Sequence, residues 1–590
     1  MTGSCLKRKK IFLICLSLVI LILIIYGKTY YFGTVFFEEM VAIDFSNHQI
    51  VDVLQSDIRN LLRLTPYFIP ASYLVCKMSF ALWGNKVGPR HLVNVTLHMG
   101  CSILLFFIFF KATGGEINKS GILAAIFAVH PINVEPVAWL SMHDFPLGLF
   151  FIMTALLAYT NCIMKPNRKK NIYVAMLYVL SLMSQPVFIM FPVLLLVFDY
   201  WPLQRLSFAC KTDTGGQDSP ESLSEKNEQR SLFFCIREKK ALFLVSFIWF
   251  LGLIYHYSHT VYYSIFNKSD ITDITNIFFP FCAYAAYIVK VFFPFNLIPG
   301  HCFKGSIQVV SMPVWGGIAS VAGLITISVL CFIKALKGSR FYMAGWLWFL
   351  VVMLPAVVRS TEHQRSLIES RYAYLGAVGL FVMLIWGAYE LKLKKPFNKR
   401  LLCIFAVFVI LLFTAISAKH VNCWRNTETV FQHAIAAEPD NPALYQAFGD
   451  ILTFKNEKAK AIQIFSRAIQ NGLETFGIYY RLGVLFYEQG KPVKAIENYN
   501  KALHIEPDAR VHNDIAVALA DIQQFDKAID HLHKSLALNP DYVLAKQNLK
   551  RLVNRTGRNK KCQVNTQNGA TSGDDHIEED KKNGCATFIQ

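Results

Sequence analysis

The sequence predicts an all-α protein in two parts, a polytopic helical bundle in a membrane followed by a soluble α-solenoid. Three observations predict it. Of 590 residues, 54% are hydrophobic and only 17% charged, with mean hydropathy +0.36, which a single soluble core does not explain. Long apolar runs recur through the first four hundred residues. Near Lys419 that character stops, and from Pro442 onward small, aromatic and proline residues return at a fixed period.

The chain opens with Lys7-Arg8-Lys9-Lys10 and then Ile11 to Gly27 without a charge. No small-x-small site precedes Lys28, so an uncleaved first span is expected rather than a signal peptide. Further spans are expected near 91–111, 119–133, 145–163, 171–184, 187–203, 241–258, 312–334, 341–357, 371–390 and 400–418, about eleven in all. Lys/Arg clusters at 7–10, 165–170, 203–240, 334–340 and 391–400 all fall in the cytoplasm on that count. Tyr67 to Trp83 and Ile277 to Phe295 are then expected to lie along the far surface, interrupted by Arg63, Lys77 and Lys290. The repeats are expected on the far side too. The net charge of +19 belongs to these cytoplasmic clusters, and no basic stripe interleaved with aromatics points to nucleic acid. The 14 cysteines include no CxxC pair. Cys15, Cys101, Cys162, Cys331 and Cys403 read as small core residues, neither a zinc site nor a disulfide framework.

In the second part Gly449 recurs as Gly483, Ala461 as Ala495 and Ala528, Phe465 as Tyr499 and Leu532, and Pro507 as Pro540. A period of about 34 residues, with small residues at helix crossings, resembles the tetratricopeptide repeat, whose helix pairs stack around a concave groove. The expected organisation is a membrane domain over 1–419, repeats over 420–550 (three units at about 442–475, 475–508 and 509–541, led by a helix from Val421 to Ala437), and a disordered tail over 551–590.

Ionisable residues at membrane depth are costly, so each is a candidate site. Glu38-Glu39, after the first span, suits a general base, its neighbour raising its pKa; a solvated loop start is the bland reading. His130, Glu135 and Trp139, followed by His143 and Asp144, have the composition of a sugar-binding cluster, or of an aromatic belt with a helix-breaking Pro. Asp199-Tyr200-Trp201-Pro202 reads as a structural turn. Arg365 and Arg371, with Glu362, Glu369, Tyr372 and Tyr374, suit a bidentate phosphate clamp, or interfacial snorkelling.

Taken in order, Glu38-Glu39…Asn47, His91-Leu92-Val93-Asn94…His98, His130-Pro131…Glu135…Trp139, Pro186, Asp199-Tyr200-Trp201-Pro202, Gly345-Trp346-Leu347-Trp348-Phe349, Arg371-Tyr372-x-Tyr374 and the terminal repeats resemble the transmembrane and tetratricopeptide repeat-containing glycosyltransferases. The resemblance implies a GT-C-type membrane fold and a protein O-glycosyltransferase. Such an enzyme moves mannose or another sugar from a polyprenyl (dolichyl) phosphate to Ser/Thr hydroxyls on the lumenal or periplasmic side, in the endoplasmic reticulum of a eukaryote or the inner membrane of a bacterium. Glu38 or Glu39 is then the expected base, and Arg371, Arg365, Lys290 and His143 the donor-phosphate ligands. The repeats would hold the acceptor polypeptide, with no metal and no cofactor beyond the lipid-linked donor. The chain departs from the family at Glu38-Glu39 (usually Asp-Asp), at Ser141 to Phe145 (where Arg is common), at Ile69 (Arg) and at Gln185 (often Lys). The alternative is a catalytically degenerate membrane scaffold whose repeats recruit a lumenal partner. A transporter is disfavoured, because no inverted repeat is visible.

Overall fold

Helix follows helix, and no β-sheet occurs among the described residues. The structure, a computed structural model, describes residues 2–35, 69–164, 168–206, 231–266, 275–295, 297, 314–362, 369–391 and 396–568. It divides into two compact units, Met1–Leu444 and Tyr445–Gln590.

The first unit contains α1 (Thr2–Tyr26), α2 (Pro70–Trp83), α3 (Val87–Ala112), α4 (Ile117–Val129), α5 (Val134–Ala138), α6 (Asp144–Met164), α7 (Arg168–Ser184) and α8 (Phe191–Tyr200). It continues with α9 (Leu232–Glu238), α10 (Lys240–Phe266), α11 (Thr275–Phe292), α12 (Val314–Leu336), α13 (Arg340–Glu362), α14 (Ala373–Glu390), α15 (Pro396–Val421) and α16 (Thr427–Ala437). Among the described residues, seven helices are long and apolar enough to cross a membrane, or eight if α4 and the bent segment after it form one span. That segment turns by 51° at His130-Pro131. Pro131 cannot continue the hydrogen-bond ladder and holds His130 extended, with ψ 130°, so the straight span expected over 119–133 is broken.

The expected count of about eleven is therefore not reached on length. The spans read at 171–184 and 187–203 coincide with apolar helices of 10–17 residues, which at about 1.5 Å per residue fall short of the ~30 Å of hydrocarbon; the span read at 241–258 lies within α10, a helix of 27 residues. Helices α2 and α11 correspond to the two segments read as surface-lying. Cys101, Cys162 and Cys331 are buried core residues, whereas Cys403 is exposed on the apolar flank of α15 and Cys15 is half-buried.

The second unit continues from α17 (Pro442–Phe454) through α18 (Lys458–Gln470), α19 (Phe476–Glu488), α20 (Pro492–Ile505), α21 (Ala509–Asp521), α22 (Phe525–Leu538) and α23 (Val543–Asn568). The period has a packing cause. Gly449 lies against the Phe465 ring and Gly483 against the Tyr499 ring, each too close for a Cβ, so the same helix crossing is built twice. Ala461, Ala495 and Ala528 are fully buried at the equivalent place on the second helices.

Two boundaries differ from expectation. The helix from Val421 to Ala437, read as the start of the solenoid, belongs to the first unit: Trp424 stacks on Trp139 with centroids 5.1 Å apart, and Val430 joins that unit's core. The tail expected from Arg551 is helical as far as Asn568, because Ala545 and Leu552 bury against the last repeat. A polar-backed capping helix closes the array, as a solenoid end requires.

Candidate polypeptide-binding face and buried charge clusters

The repeat face is built by side chains one period apart on the first helix of each pair. Tyr480 on α19 donates to Asp514 on α21 at 3.0 Å, 34 residues on. Tyr487 donates to Asp521 at 2.7 Å, again 34 residues on. Asn548 on α23 donates to Asn513 at 2.9 Å, and Arg481 forms a forked ion pair with Asp450 on α17. Both partners of that pair are about a third exposed or more, so it contributes under ~1 kcal/mol. Its consequence is orientation: a stripe of carboxylates, amides and phenols runs across successive first helices, polar enough to recognise a peptide backbone and its charges.

Burial pushes the Asp514 carboxyl above its ordinary 3.8, against the hydrogen bonds from Tyr480 and Asn513 that lower it. The folded chain thus keeps a proton that the unfolded chain releases. Stability falls as pH rises from 3.8 toward the folded value, and no more is lost above it. Hydrogen-exchange protection of α21, corrected for intrinsic rate and followed from about pH 4 to about pH 7, is expected to decline in wild type. In Asp514→Asn it is expected to be flatter; an unchanged slope would remove Asp514 as the cause.

In the first unit, the expected sites are distributed as follows. Glu38, Glu39 and Arg365 lie outside the described residues. Arg371 is buried and ion-paired on two sides, with Glu135 at 2.8 Å and with Glu369. Lys290 lies within electrostatic reach of Glu135 and Glu369. His130 donates from Nε2 to the Val291 carbonyl at 2.9 Å and accepts from Ile132 N–H at Nδ1, so both ring nitrogens are engaged within the protein. His143 Nε2 donates to the Ser72 carbonyl at 2.7 Å, and Trp139 is 1% exposed beneath Trp424. The structure therefore brings Glu135, Arg371 and Lys290 together, while His130 and His143 bind backbone.

Sequence reasoning read Asp199 only as part of a turn. It sits at the end of α8, fully buried, receiving Lys239 at 2.6 Å, Arg205 at 3.1 Å and the Tyr159 hydroxyl at 2.8 Å. The clue available was its charge inside an otherwise apolar run.

Comparison with known proteins finds the family model "Tetratricopeptide repeat" matching residues 477–508, so a tetratricopeptide repeat lies within the array predicted from periodicity. Two relatives are peroxisomal targeting signal receptors. One, from Kluyveromyces lactis, is 38% identical over 69 residues, 12% of each chain; the other, from Candida albicans, is 39% identical over 69 residues, also 12% of each. A third is the photosystem I assembly protein Ycf3 of Acaryochloris marina, 35% identical over 74 residues, 12% of this chain and 45% of that one. The chain thus spans about an eighth of the receptors it matches and less than half of Ycf3. A solved structure, the APC/C hetero-tetramer Cut9–Hcn1, aligns over 87% of this chain and 98% of its own at 14% identity, with a TM-score of 0.21, too low to carry weight. These matches overturn the protein O-glycosyltransferase reading: the relatives are receptors and an assembly protein by name, and nothing in the matches supports a GT-C enzyme or a lipid-linked sugar. An order of motifs does not by itself carry chemistry with it.

Proposed function

We propose that this protein is a non-enzymatic, membrane-anchored tetratricopeptide scaffold that holds a polypeptide partner on the first helices of its repeats. The observation that carries the reading is the periodic polar stripe of Asp450, Arg481, Tyr487, Asp521 and Asn548. It offers repeated hydrogen-bonding and charged groups at one-period intervals to an extended chain. Anchoring is supported by the exposed apolar flank of α15, where Ile404, Phe405, Val407, Phe408 and Leu411 are each more than half exposed. A surface of that kind is at home in hydrocarbon and would aggregate in water.

A photo-reactive residue in place of Gln446, one turn before Asp450 on α17, or in place of Tyr487 is expected to trap a polypeptide in intact membranes, and the same residue in place of Lys501 on α20 is not. Equal yields at all three positions would sink the reading. Sidedness rests on the Lys/Arg clusters, which favour the repeats on the lumenal or periplasmic side; this means the endoplasmic reticulum membrane in a eukaryote and the inner membrane in a bacterium. Expression in a eukaryotic host is expected to add glycan at Asn554 and none at Asn118; the reverse pattern inverts the orientation.

A further inference from the structure

Helix α15 ends at Val421 and passes through the turn Asn422–Trp424. His420 and Cys423 are three residues apart across that helix end, which puts them on one face. The turn is fixed from both sides. Trp424 is buried against Trp139, and Asn426 caps α16 with a reciprocal bond to Thr429. The Thr429 hydroxyl lies 3.1 Å from the Cys423 carbonyl. Helix α16 then carries His433 back over His420, ring centroids 5.8 Å apart. One donor atom from each of His420, Cys423 and His433 lies within 4.8 Å of the other two, and all three residues are half-buried.

We propose that His420, Cys423 and His433 form a zinc-binding site that clips the end of α15 to α16. Two imidazoles and a thiol are the donor set that a borderline divalent cation selects over magnesium or calcium. Tetrahedral zinc, with ligands at about 2.0–2.3 Å, needs donors about 3.3–3.8 Å apart, so the side chains close in by about 1 Å through rotation about their own torsions. A second observation points to a ligand. His433 is hydrogen-bonded by the Leu297 backbone, the outer-shell arrangement that fixes a metal-binding imidazole's tautomer and leaves its other nitrogen free to coordinate. Lys28 and Lys419 are the cations within electrostatic reach of Cys423. Lys28 is tied to the Ala418 carbonyl. The three side chains leave a fourth position for water or a further donor. The lack of a CxxC pair has no bearing on an H-x2-C…H set, and the site stands independently of the scaffold reading.

The test uses the full chain purified in detergent with any affinity tag removed, titrated with Co2+ and then with Zn2+. One equivalent of Co2+ is expected to bind with a thiolate-to-metal charge-transfer absorption and tetrahedral ligand-field bands, and Zn2+ to displace it. Cys423→Ser is expected to abolish the charge-transfer band. His433→Ala is expected to weaken binding by at least about 10- to 100-fold, the range found even for outer-shell changes. Because the variants perturb a buried turn, wild type supplies a second readout: Zn2+ should protect Cys423 from alkylation while exposed Cys5 reacts unchanged. Wild type that shows no thiolate band and no protection of Cys423 overturns the site, as does a band that persists in Cys423→Ser.

Discussion

Replacing Asp199 with alanine is expected to cost the folded protein about 3–5 kcal/mol, the range for removing one partner of a buried ion pair. Its two oxygens receive Lys239, Arg205 and the Tyr159 hydroxyl, and the side chains of Asp199, Lys239 and Arg205 are 0%, 1% and 6% exposed. Without the carboxylate, the two buried cations have, among the described residues, Glu238 as their anion, which Arg205 already binds at 3.0 Å. The loss exceeds that of a hydrogen bond, since desolvation has already been incurred and is no longer offset. Asp199→Asn keeps the shape and loses the charge, so it should fall between wild type and Asp199→Ala. Lys239→Met removes one of the stranded cations. Asp199→Asn combined with Lys239→Met is therefore expected to melt nearer to wild type in detergent than the two single losses added together, the signature of coupled neighbours. Strict additivity would show that the network is not what holds α8 to α9 and α6.

What the sequence disclosed depended on how far apart the interacting residues stand. The repeats were legible because one crossing, Gly449 on Phe465, is written again 34 residues later as Gly483 on Tyr499, and the period is visible without knowing the fold. The helices of the membrane body were legible as apolar runs, but their use was not. The helix-breaking Pro131 was noted beside the candidate cluster but not carried into the span over 119–133, and the fourteen residues of 171–184, about 21 Å as helix, were counted as a crossing on apolarity alone. Asp199 was read as a turn because two of its partners, Tyr159 and Lys239, stand forty residues away on either side; of the three, Arg205 alone is local. The solenoid's start was misread for the same reason: Trp424 belongs to the body through Trp139, nearly three hundred residues earlier. The misreading of function was of another kind. It moved from a layout of motifs to a reaction, and the relatives corrected the reaction without touching the helices.

Arg371→Met is expected to have the second large effect, again about 3–5 kcal/mol. The guanidinium stands between Glu135 and Glu369, with side chains 2%, 4% and 7% exposed, and Asp144 and Lys290 lie within electrostatic reach of the same cluster. Methionine matches the length of the arginine stem but leaves two buried carboxylates facing each other, and like charges so placed cannot both stay ionised at ordinary cost. Arg371→Lys keeps a charge yet offers a point donor where a planar fork reaches two acceptors, so it should rescue only part of the loss. The decisive comparison is Arg371→Met with Glu135→Gln and Glu369→Gln together. With all three charges gone, the stranded-carboxylate penalty disappears, and the triple variant should melt above Arg371→Met alone in detergent. If the triple variant is the least stable of the set, the cost of Arg371→Met lies in lost packing against Phe145 and Tyr372, over whose rings the guanidinium sits at 5.6 and 5.3 Å, and the electrostatic account is wrong.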